Sequence, residues 1–198
     1  MIRLSTISSI FALCISMLHA TNLEDGDIVF QRSQSGQSDA IAAATRSEHT
    51  HVGIVFHTDG RPFVYEAVQP VNRTPLGEWI KRGVGKKYEI KRLRDRDRVD
   101  FAAVHEQAKS FLGKNYDFEF RWTDEKIYCS ELVWKAYQRA AKLELGALKR
   151  LRDFDLSSRV VKQKLKERYG ENVPYDMTVI SPACIFSSEL LITVPQKP

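Results

Sequence analysis

A β-hairpin signal in the first third of the chain constrains the fold more tightly than any other local pattern. Residues 52–56 and 63–68 are two mostly apolar runs, and the turn between them, residues 57–62, contains Asp59 and Gly60. An Asp-Gly pair between two such runs is typical of a tight hairpin turn, because both residues tolerate a positive φ angle. The pattern therefore predicts two antiparallel strands.

The register of this hairpin decides which side chains share a face of the sheet. With Asp59 and Gly60 as the turn, Glu66 lies opposite Gly53, and side chains two positions apart on a strand share one face. His51 and Glu66 are then diagonal neighbours, about 7–8 Å apart at the backbone. We therefore expect their side chains to meet, whereas a loop of odd length would put them on opposite faces.

The early part of the chain otherwise predicts strands and short helical segments. Residues 28–30 predict a short buried strand, and residues 88–93 predict an edge strand. A short helix is expected to begin near Ser38, with Ser38 as its N-cap. Residues 76–81 predict a helical turn that carries Trp79.

Three longer helices are predicted in the second half from the spacing of apolar residues. One ends at Gly113, one begins close to Cys129, and one is capped by Ser157 or Ser158 and ends at Gly170. Strands come early and helices come late, without a linker between them. The sequence therefore predicts an α+β fold in one domain.

The composition agrees with a single globular domain. The chain has 198 residues, of which 43% are hydrophobic and 10% aromatic, so it can bury a core and disorder is excluded. It contains no heptads and no internal repeat, which excludes coiled coils and solenoids. The formal net charge of +5, from 30 basic and 25 acidic residues, is too modest to predict a nucleic-acid partner.

The first twenty residues are predicted to be a secretory signal peptide. Arg3 gives a positive start, residues 7–18 form an apolar run without charge, and Ala20 stands at the expected cleavage position. The run is too short to span a membrane comfortably, so no membrane span is expected after cleavage. A buried core helix is the alternative. We therefore expect a secreted or periplasmic protein whose residues 21–198 form one domain.

Cys129 is the candidate nucleophile because of its place at the start of a predicted helix. The first-turn N–H groups of a helix lack intrahelical partners and the dipole is positive there, which favours a thiolate. The same N–H groups can bind an oxyanion. The alternatives are a buried structural cysteine or a disulfide with Cys184, the second cysteine of the mature chain.

A nucleophilic cysteine needs an imidazole to accept its proton and a third group to orient the ring. Among five histidines, His51 is favoured because the hairpin brings Glu66 to the same face. Glu66 lies in an otherwise apolar stretch, where a carboxylate needs a partner. The alternatives are a backbone-bonded histidine and a solvated carboxylate. A metal site formed by His49, His51 and Cys129 has no recognised ligand spacing, so no metal is predicted.

Four short motifs occur in a specific order along the chain. They are DGDIVFQ at 25–31, HVGIV at 51–55, YEAV at 65–68 and YCSELV at 128–133. On these motifs the sequence resembles the YaeF/YiiX-type permuted papain-like cysteine amidases and peptidases of the NlpC-related superfamily. The resemblance covers nearly the whole mature chain, including residues 112–118 and 164–170. It implies an α+β fold in which a small antiparallel sheet or barrel packs against helices, with the nucleophile at a helix N-terminus.

The resemblance also implies roles for particular residues. It makes Cys129 the nucleophile, His51 the general base and Glu66 the group that orients the imidazole. The Cys129 amide is expected in the oxyanion hole, with Tyr128 and Gln31 as candidates for a second donor. No metal or organic cofactor is expected.

The resemblance leaves the substrate open. We expect hydrolysis of an amide bond through a thioester acyl-enzyme, and peptidoglycan stem peptides are a natural substrate in a periplasm. A lipid or fatty-acyl thioesterase or acyltransferase is the alternative, because the superfamily also contains lipid acyltransferases. Trp79 and Phe118, if they line the groove, would favour that alternative. A non-catalytic binding domain is a third hypothesis.

Overall fold

A computed structural model describes residues 23–196 of the protein. The predicted signal peptide, residues 1–20, lies outside this part of the chain. Within the part described, no helix is both long enough and apolar enough to cross a bilayer.

An open six-stranded antiparallel sheet organises the fold. The strands of the protein are β1 (Ile28–Gln31), β2 (His51–Thr58), β3 (Arg61–Glu66), β4 (Asn72–Pro75), β5 (Glu89–Leu93), β6 (Asn115–Tyr116), β7 (Lys126–Ile127), β8 (Lys149–Arg150), β9 (Thr178–Val179) and β10 (Leu191–Val194). In the main sheet the order is β10-β5-β1-β2-β3-β4, while β6-β7 and β8-β9 form two small separate ladders. The main sheet does not close, so of the two predicted forms, sheet or barrel, the structure has the sheet.

Six helices surround this sheet in the described residues. They are α1 (Ser38–Thr45), α2 (Leu76–Lys81), α3 (Phe101–Lys109), α4 (Cys129–Ala141), α5 (Arg159–Tyr169) and α6 (Pro182–Phe186), with 3₁₀ turns at Val84–Lys86 and Leu151–Asp153. The segments predicted at residues 76–81 and near Cys129 are therefore helices. Ser158 is the N-cap of α5 and accepts a hydrogen bond from the Val161 amide, as the sequence predicts.

The two faces of the main sheet bury different elements, because neighbouring side chains of a strand point to opposite sides. One face, which includes Ile54 and Phe56, packs against the apolar sides of α3 and α4. The other face, which includes Val55 and Val64, packs against Trp79 of α2. Nine consecutive residues of α4, from Cys129 onward, are buried. The helix that carries the candidate nucleophile is thus part of the core.

The predicted hairpin register is confirmed. Ile54 pairs with Tyr65 and Thr58 pairs with Arg61, the pairing expected for a two-residue turn. Asp59 and Gly60 both have positive φ angles, 51° and 71°, as this kind of turn requires.

Three local predictions are wrong. The helix predicted to end at Gly113 is α3, which ends at Lys109 with Ser110 as its C-cap. Residues 88–93 contain β5, but β5 is an inner strand, because β10 pairs with it on the side away from β1. Ser38 does not cap α1: Gln37 is the N-cap residue and makes no side-chain capping bond. The Ser38 hydroxyl is instead hydrogen-bonded to the Thr50 hydroxyl at 2.8 Å, so a tertiary contact replaces the local cap.

Candidate active site

Cys129 is the first residue of α4 and is only 3% exposed. Two hydrogen bonds hold this end of the helix. The Ser130 hydroxyl donates to the carbonyl oxygen of Ile180 at 2.8 Å, and the Glu131 carboxylate accepts from the backbone N–H of Tyr128 at 3.3 Å. The sulfur therefore lies where the N–H groups of the first turn are free and the helix dipole is positive.

A buried ion pair lies one turn into the same helix. Glu131 is completely buried, and one of its carboxylate oxygens lies 2.6 Å from the Lys135 ammonium. Lys135 also donates to the Thr123 carbonyl and to Asp124. Burial raises the pKa of Glu131 to about 7, although the hydrogen bond from Lys135 acts in the opposite direction. The first turn of α4 therefore contains a titratable side chain, Glu131, that is buried away from solvent.

His51 and Glu66 meet as the hairpin register predicts. His51 Nε2 lies 2.5 Å from Glu66 Oε2, and both residues are buried. The other oxygen of Glu66, Oε1, accepts a hydrogen bond from the Thr74 hydroxyl at 2.6 Å and is ion-paired with Arg82. Because Glu66 engages Nε2, Nδ1 is the ring nitrogen left to face Cys129, whose interaction with the ring raises the pKa of His51.

The charges around His51 favour its protonated form. Burial lowers the pKa of the imidazole, but hydrogen bonds to Cys129 and Glu66 outweigh this effect and raise the pKa to about 10. Burial likewise raises the pKa of Glu66, but the hydrogen bond from His51 and the charges of His51 and Arg82 lower it below its ordinary value. The ring therefore lies as a cation between a carboxylate and a sulfur.

Gly53 makes room for this arrangement. A Cβ atom on Gly53 would lie 2.4 Å from Val64 Cγ1 and 2.9 Å from the carbonyl oxygen of Tyr65. Such a side chain would also approach Glu66 Cβ to 3.3 Å. The glycine in the motif at 51–55 thus allows β3 to lie close enough for Glu66 to reach the imidazole.

An apolar cavity of about 100 Å³ opens beside Cys129. Its wall is formed by α1, by α5 and by residues 151–156 between β8 and α5. Side chains such as Ile41, Leu165 and Phe154 make this wall almost entirely hydrocarbon, while Lys164 and Arg168 also line the cavity. The cavity therefore has the character of a site for an apolar group next to the sulfur.

A second cavity, of about 340 Å³, lies on the side of His51. Its lining is rich in amide and hydroxyl groups and includes Gln31, Arg82 and the half-exposed ring of Phe118. Gln37 and Tyr116 line both cavities. The sulfur and the imidazole thus lie at the boundary between an apolar and a polar chamber.

Tyr116 is a site residue that the reasoning from residues alone missed. Its hydroxyl accepts a hydrogen bond from Gln37 Nε2 at 2.8 Å, and Gln37 is held in turn by Arg168 at 2.9 Å. Burial and the charge of Cys129 raise the pKa of Tyr116 well above its ordinary value, so the hydroxyl keeps its proton. The only sequence signal for Tyr116 is its position in the motif at 112–118.

The candidate binding residues Gln31, Tyr128 and Trp79 occupy three different environments. Gln31 pairs with His51 across β1 and β2, is 2% exposed, and its Oε1 has no hydrogen-bond partner among the described residues. The Tyr128 hydroxyl accepts a hydrogen bond from the backbone N–H of Ile180 at 3.0 Å. Trp79 lines neither cavity, but its ring lies nearly parallel to that of His51 with centroids 6.2 Å apart. Trp79 therefore supports the imidazole from the core.

The other histidines lie away from this arrangement. The imidazole of His49 bonds to Glu89 at 2.9 Å and stacks on Phe186. His105 of α3 stacks on Phe56 and hydrogen-bonds to the Tyr65 hydroxyl at 2.7 Å.

Both cysteines of the described residues are free thiols. Cys184 lies on α6, where its sulfur accepts a hydrogen bond from the Ser181 hydroxyl at 3.2 Å. The structure therefore does not have the alternative disulfide between Cys129 and Cys184.

The model of a family described as permuted papain-like amidase enzyme, YaeF/YiiX, C92 family, matches residues 22–194. The chain belongs to this family. The resemblance inferred from the four motifs is thus confirmed, and so is the permuted papain-like α+β fold. Membership of this amidase family supports a cysteine hydrolase.

Two relatives illustrate the extent of the similarity. The uncharacterized protein YiiX of Escherichia coli K12 is 45% identical over 175 residues, which are 88% of this chain and 87% of that protein. A crystal structure of YiiX from Escherichia coli O157:H7 superimposes with a TM-score of 0.84 at 44% identity, and covers 88% of this chain and 97% of that one.

The YiiX crystal structure is described as that of a metalloprotein, which raises the question of a metal site in this chain. In residues 23–196, no group of three or more His, Cys, Asp or Glu side chains is arranged to hold a metal ion. In the candidate site, the carboxylate of Glu66 is already neutralised by its ion pair with the Arg82 guanidinium. The residues present in the described part therefore do not fit a metal centre.

Proposed function

We propose that the protein hydrolyses amide bonds, with Cys129 as nucleophile, His51 as general base and acid, and Glu66 as the residue that orients the imidazole. The observation that carries this proposal is the position of the His51 ring. It is hydrogen-bonded to a buried carboxylate on one side, and on the other it faces a cysteine at a helix N-terminus, which helps to raise the pKa of the ring. A nucleophile, a base and an orienting group in this order are the arrangement that thiol hydrolases require.

The chemistry follows from these positions. The Cys129 thiolate attacks the carbonyl carbon of the amide, and the negative charge moves to the carbonyl oxygen. The tetrahedral intermediate collapses when the His51 imidazolium donates its proton to the departing nitrogen, which leaves a thioester on Cys129 and a free amine. His51, now neutral, takes a proton from water, and the hydroxide formed releases the acid and restores the thiolate.

Two donors are available for the negative charge that develops on the carbonyl oxygen. One is the backbone N–H of Cys129, which the helix start leaves without an intrahelical acceptor. The other is the Tyr116 hydroxyl, because Gln37 already fills its acceptor side and leaves its proton free. Gln31 is the alternative second donor, since its buried amide lines the polar cavity beside His51.

The two cavities support an orientation of the substrate. The departing amine has to lie near His51, and therefore in the polar cavity. The acyl part lies next to the sulfur, in the apolar cavity. We propose that the protein is exported under the direction of residues 1–20, and that cell-wall peptides are the amide substrate it meets there.

A second candidate function is hydrolysis or transfer of a fatty-acyl group through the same thioester. The observation that favours it is the hydrocarbon lining of the cavity beside Cys129, to which α1 and α5 contribute. An alkyl chain would bury apolar surface there without leaving a polar group unpaired. The two functions differ in the acyl part that the thioester carries and water releases, which is a peptide carboxylate in the first and a fatty acid in the second.

Alkylation tests the proposed nucleophile. We expect iodoacetamide near pH 6 to label Cys129 rapidly and Cys184 slowly, because a thiolate and not a thiol is the attacking species. Peptide mapping by mass spectrometry distinguishes the two sites, and Cys184→Ala is the matched control for Cys129→Ala. Equal, slow labelling of both cysteines would overturn the proposal in favour of a non-catalytic binding domain.

Product analysis then separates the two candidate functions. The protein is incubated with cell-wall peptides and, separately, with N-acyl amides and acyl esters that carry a long alkyl chain. New primary amines from the peptides support the first function, whereas fatty acid released only from the long-chain compounds supports the second. Cys129→Ala has to abolish either activity, and Cys184→Ala has to retain it.

A further inference from the structure

The positive charge of the protein is concentrated in one segment. Residues 149–168 contain eight basic and three acidic side chains, a net charge of +5, which equals the formal net charge of the whole chain. This segment runs from β8 through α5. The rest of the sequence is therefore electrically balanced, and the excess charge belongs to one structural unit.

Within this segment, α5 presents a basic outer face. Arg159, Lys162 and Lys166 are all exposed, and their spacing of three and four residues puts them on one side of the helix. Arg159 and Lys162 form no ion pair among the described residues, and Lys166 lies 3.6 Å from the exposed Glu171. We call these three side chains the basic face of α5. Val160, on its flank, is also exposed.

The opposite side of α5 belongs to the candidate active site. Val161 and Leu165 line the apolar cavity beside Cys129. Arg168 ties the helix to α1 through its hydrogen bond to Gln37 at 2.9 Å. Whatever binds the basic face is therefore separated from the apolar cavity by the thickness of one helix.

We propose that the basic face of α5 docks on the surface of a lipid bilayer that contains anionic headgroups. Each Lys or Arg close to such a surface is attracted to it by about 1 kcal/mol, and basic side chains clustered on one helix are a recognised feature of headgroup binding. A soluble polyanion would satisfy the charges equally well but would leave the apolar cavity on the other side of the helix without a related ligand. A bilayer, in contrast, supplies anionic headgroups for the basic face of α5 and acyl chains of the kind that would fit the apolar cavity on its opposite side. The choice of a bilayer over a soluble polyanion rests on the second candidate function, in which an acyl group occupies this cavity, but the binding itself does not require the thiol chemistry.

Vesicle sedimentation tests the proposal with the purified full chain. Vesicles of phosphatidylcholine alone are compared with vesicles in which about one quarter of the lipid is phosphatidylglycerol. We expect tighter binding to the anionic vesicles, and weaker binding as salt is added. Lys162→Glu with Lys166→Glu is expected to lower the anionic-vesicle partition coefficient at least about 30-fold, which corresponds to about 1 kcal/mol for each lysine removed.

The matched control is Lys86→Glu with Lys87→Glu, which changes the net charge by the same amount at exposed lysines far along the chain from α5. This control is expected to stay within a few-fold of the unmodified chain, and Cys129→Ala is expected to bind normally. Circular dichroism is used to check that each variant keeps the helix content of the unmodified chain.

Three outcomes would overturn the proposal. The first is equal binding to neutral and anionic vesicles, and the second is an equal loss in the control variant. The third is that polyglutamate, a soluble polyanion, displaces the protein from the anionic vesicles at an equal concentration of charge. Because Cys129→Ala has no activity but should bind vesicles normally, a failure here is distinguishable from a failure of the proposed function.

Discussion

Glu66 Oε2 lies 2.5 Å from His51 Nε2, while the other carboxylate oxygen is held by Thr74 and Arg82. Thr74 and Arg82 thus fix the carboxylate independently of its contact with the ring. The orientation of the imidazole is therefore set by residues of the sheet and of the turn after α2. Residues held in this way around a reacting group reduce the reorganisation that the reaction requires.

Removing the charge of Glu66 tests this relationship. Glu66→Gln keeps the size of the side chain but removes the anion, so we expect the pKa of His51 to fall from about 10 towards its ordinary value of 6.5. The turnover of the proposed amidase reaction is expected to fall by about 10²–10⁴-fold, because the carboxylate no longer orients the ring or stabilises its imidazolium form. The ring titration is followed by NMR and the turnover by the amine-release assay.

Thr74→Val is the matched control for this prediction. It removes one hydrogen bond, from an uncharged hydroxyl, to the oxygen that does not touch His51, and Arg82 still holds that oxygen, so we expect a loss of less than about tenfold. An unchanged His51 titration in Glu66→Gln would contradict the assigned role of the carboxylate.

The close approach of β2 and β3 gives a second prediction. Gly53→Ala would put a Cβ atom 2.4 Å from Val64 Cγ1, so we expect the free energy of unfolding to fall by about 1–3 kcal/mol. Activity is expected to fall further than stability alone accounts for, because Glu66 is displaced. Gly77→Ala is the control, since nothing lies within 4 Å of its Cβ position. It should leave stability unchanged or raise it, as measured by urea unfolding. Equal effects of the two substitutions would contradict this account.

Burial of Glu131 predicts a pH-dependent stability. The pKa of Glu131 is raised to about 7 from 4.5, so the folded state holds the proton more tightly than the unfolded state. The contribution to stability is therefore present at low pH and is lost as the pH rises through about 7. The Gln side chain of Glu131→Gln does not titrate. The unfolding free energy of the unmodified chain, minus that of Glu131→Gln, should therefore decline by about 3 kcal/mol between pH 4.5 and about 7, because each pKa unit corresponds to about 1.4 kcal/mol.

Urea unfolding at a series of pH values between about 4 and 8 provides the measurement. The matched control is Glu78→Gln, because this side chain is exposed on α2. Its unfolding free energy is expected to run parallel to that of the unmodified chain. Parallel curves for Glu131→Gln as well would show that the burial of Glu131 has no such consequence.

The apolar cavity predicts selectivity for acyl-chain length. Ile41→Trp adds volume to a wall of the cavity of about 100 Å³, so long acyl chains should be excluded while a short chain still fits. We expect KM to rise at least about tenfold for long-chain N-acyl amides and to change less than about twofold for the N-acetyl compound. A steady-state comparison along a chain-length series provides the measurement. An equal change for every chain length would show that the acyl group does not enter this cavity.

The part of the site that rests on the hairpin could be predicted from the sequence. A two-residue turn fixes the pairing of Ile54 with Tyr65, and that pairing alone brings His51 and Glu66 to one face. The start of α4 at Cys129 could also be predicted, because it follows from the apolar spacing of the helix. The proximity of Cys129 to His51, in contrast, came from the family resemblance, since no local pattern relates a helix to a strand.

The remaining features depend on contacts between distant parts of the chain. The inner position of β5 requires β10, which lies about a hundred residues later, and an alternating pattern does not reveal how many neighbours a strand has. Arg82 reaches Glu66 from beyond α2, and Tyr116 reaches the site through a two-residue ladder. His105 is turned inward by Phe56 and Tyr65. None of these contacts leaves a periodic signature.

The sulfur and the imidazole are carried by different elements, a helix and a strand that begin 78 positions apart. Neither element can generate the reactive pair without the other, since the pair forms only when α4 is seated against the sheet. In an unfolded chain the Cys129 thiol and the His51 imidazole are therefore apart and do not act on each other. Because packing of α4 against the sheet is what brings the two groups together, only molecules that have completed folding can carry out the proposed reaction.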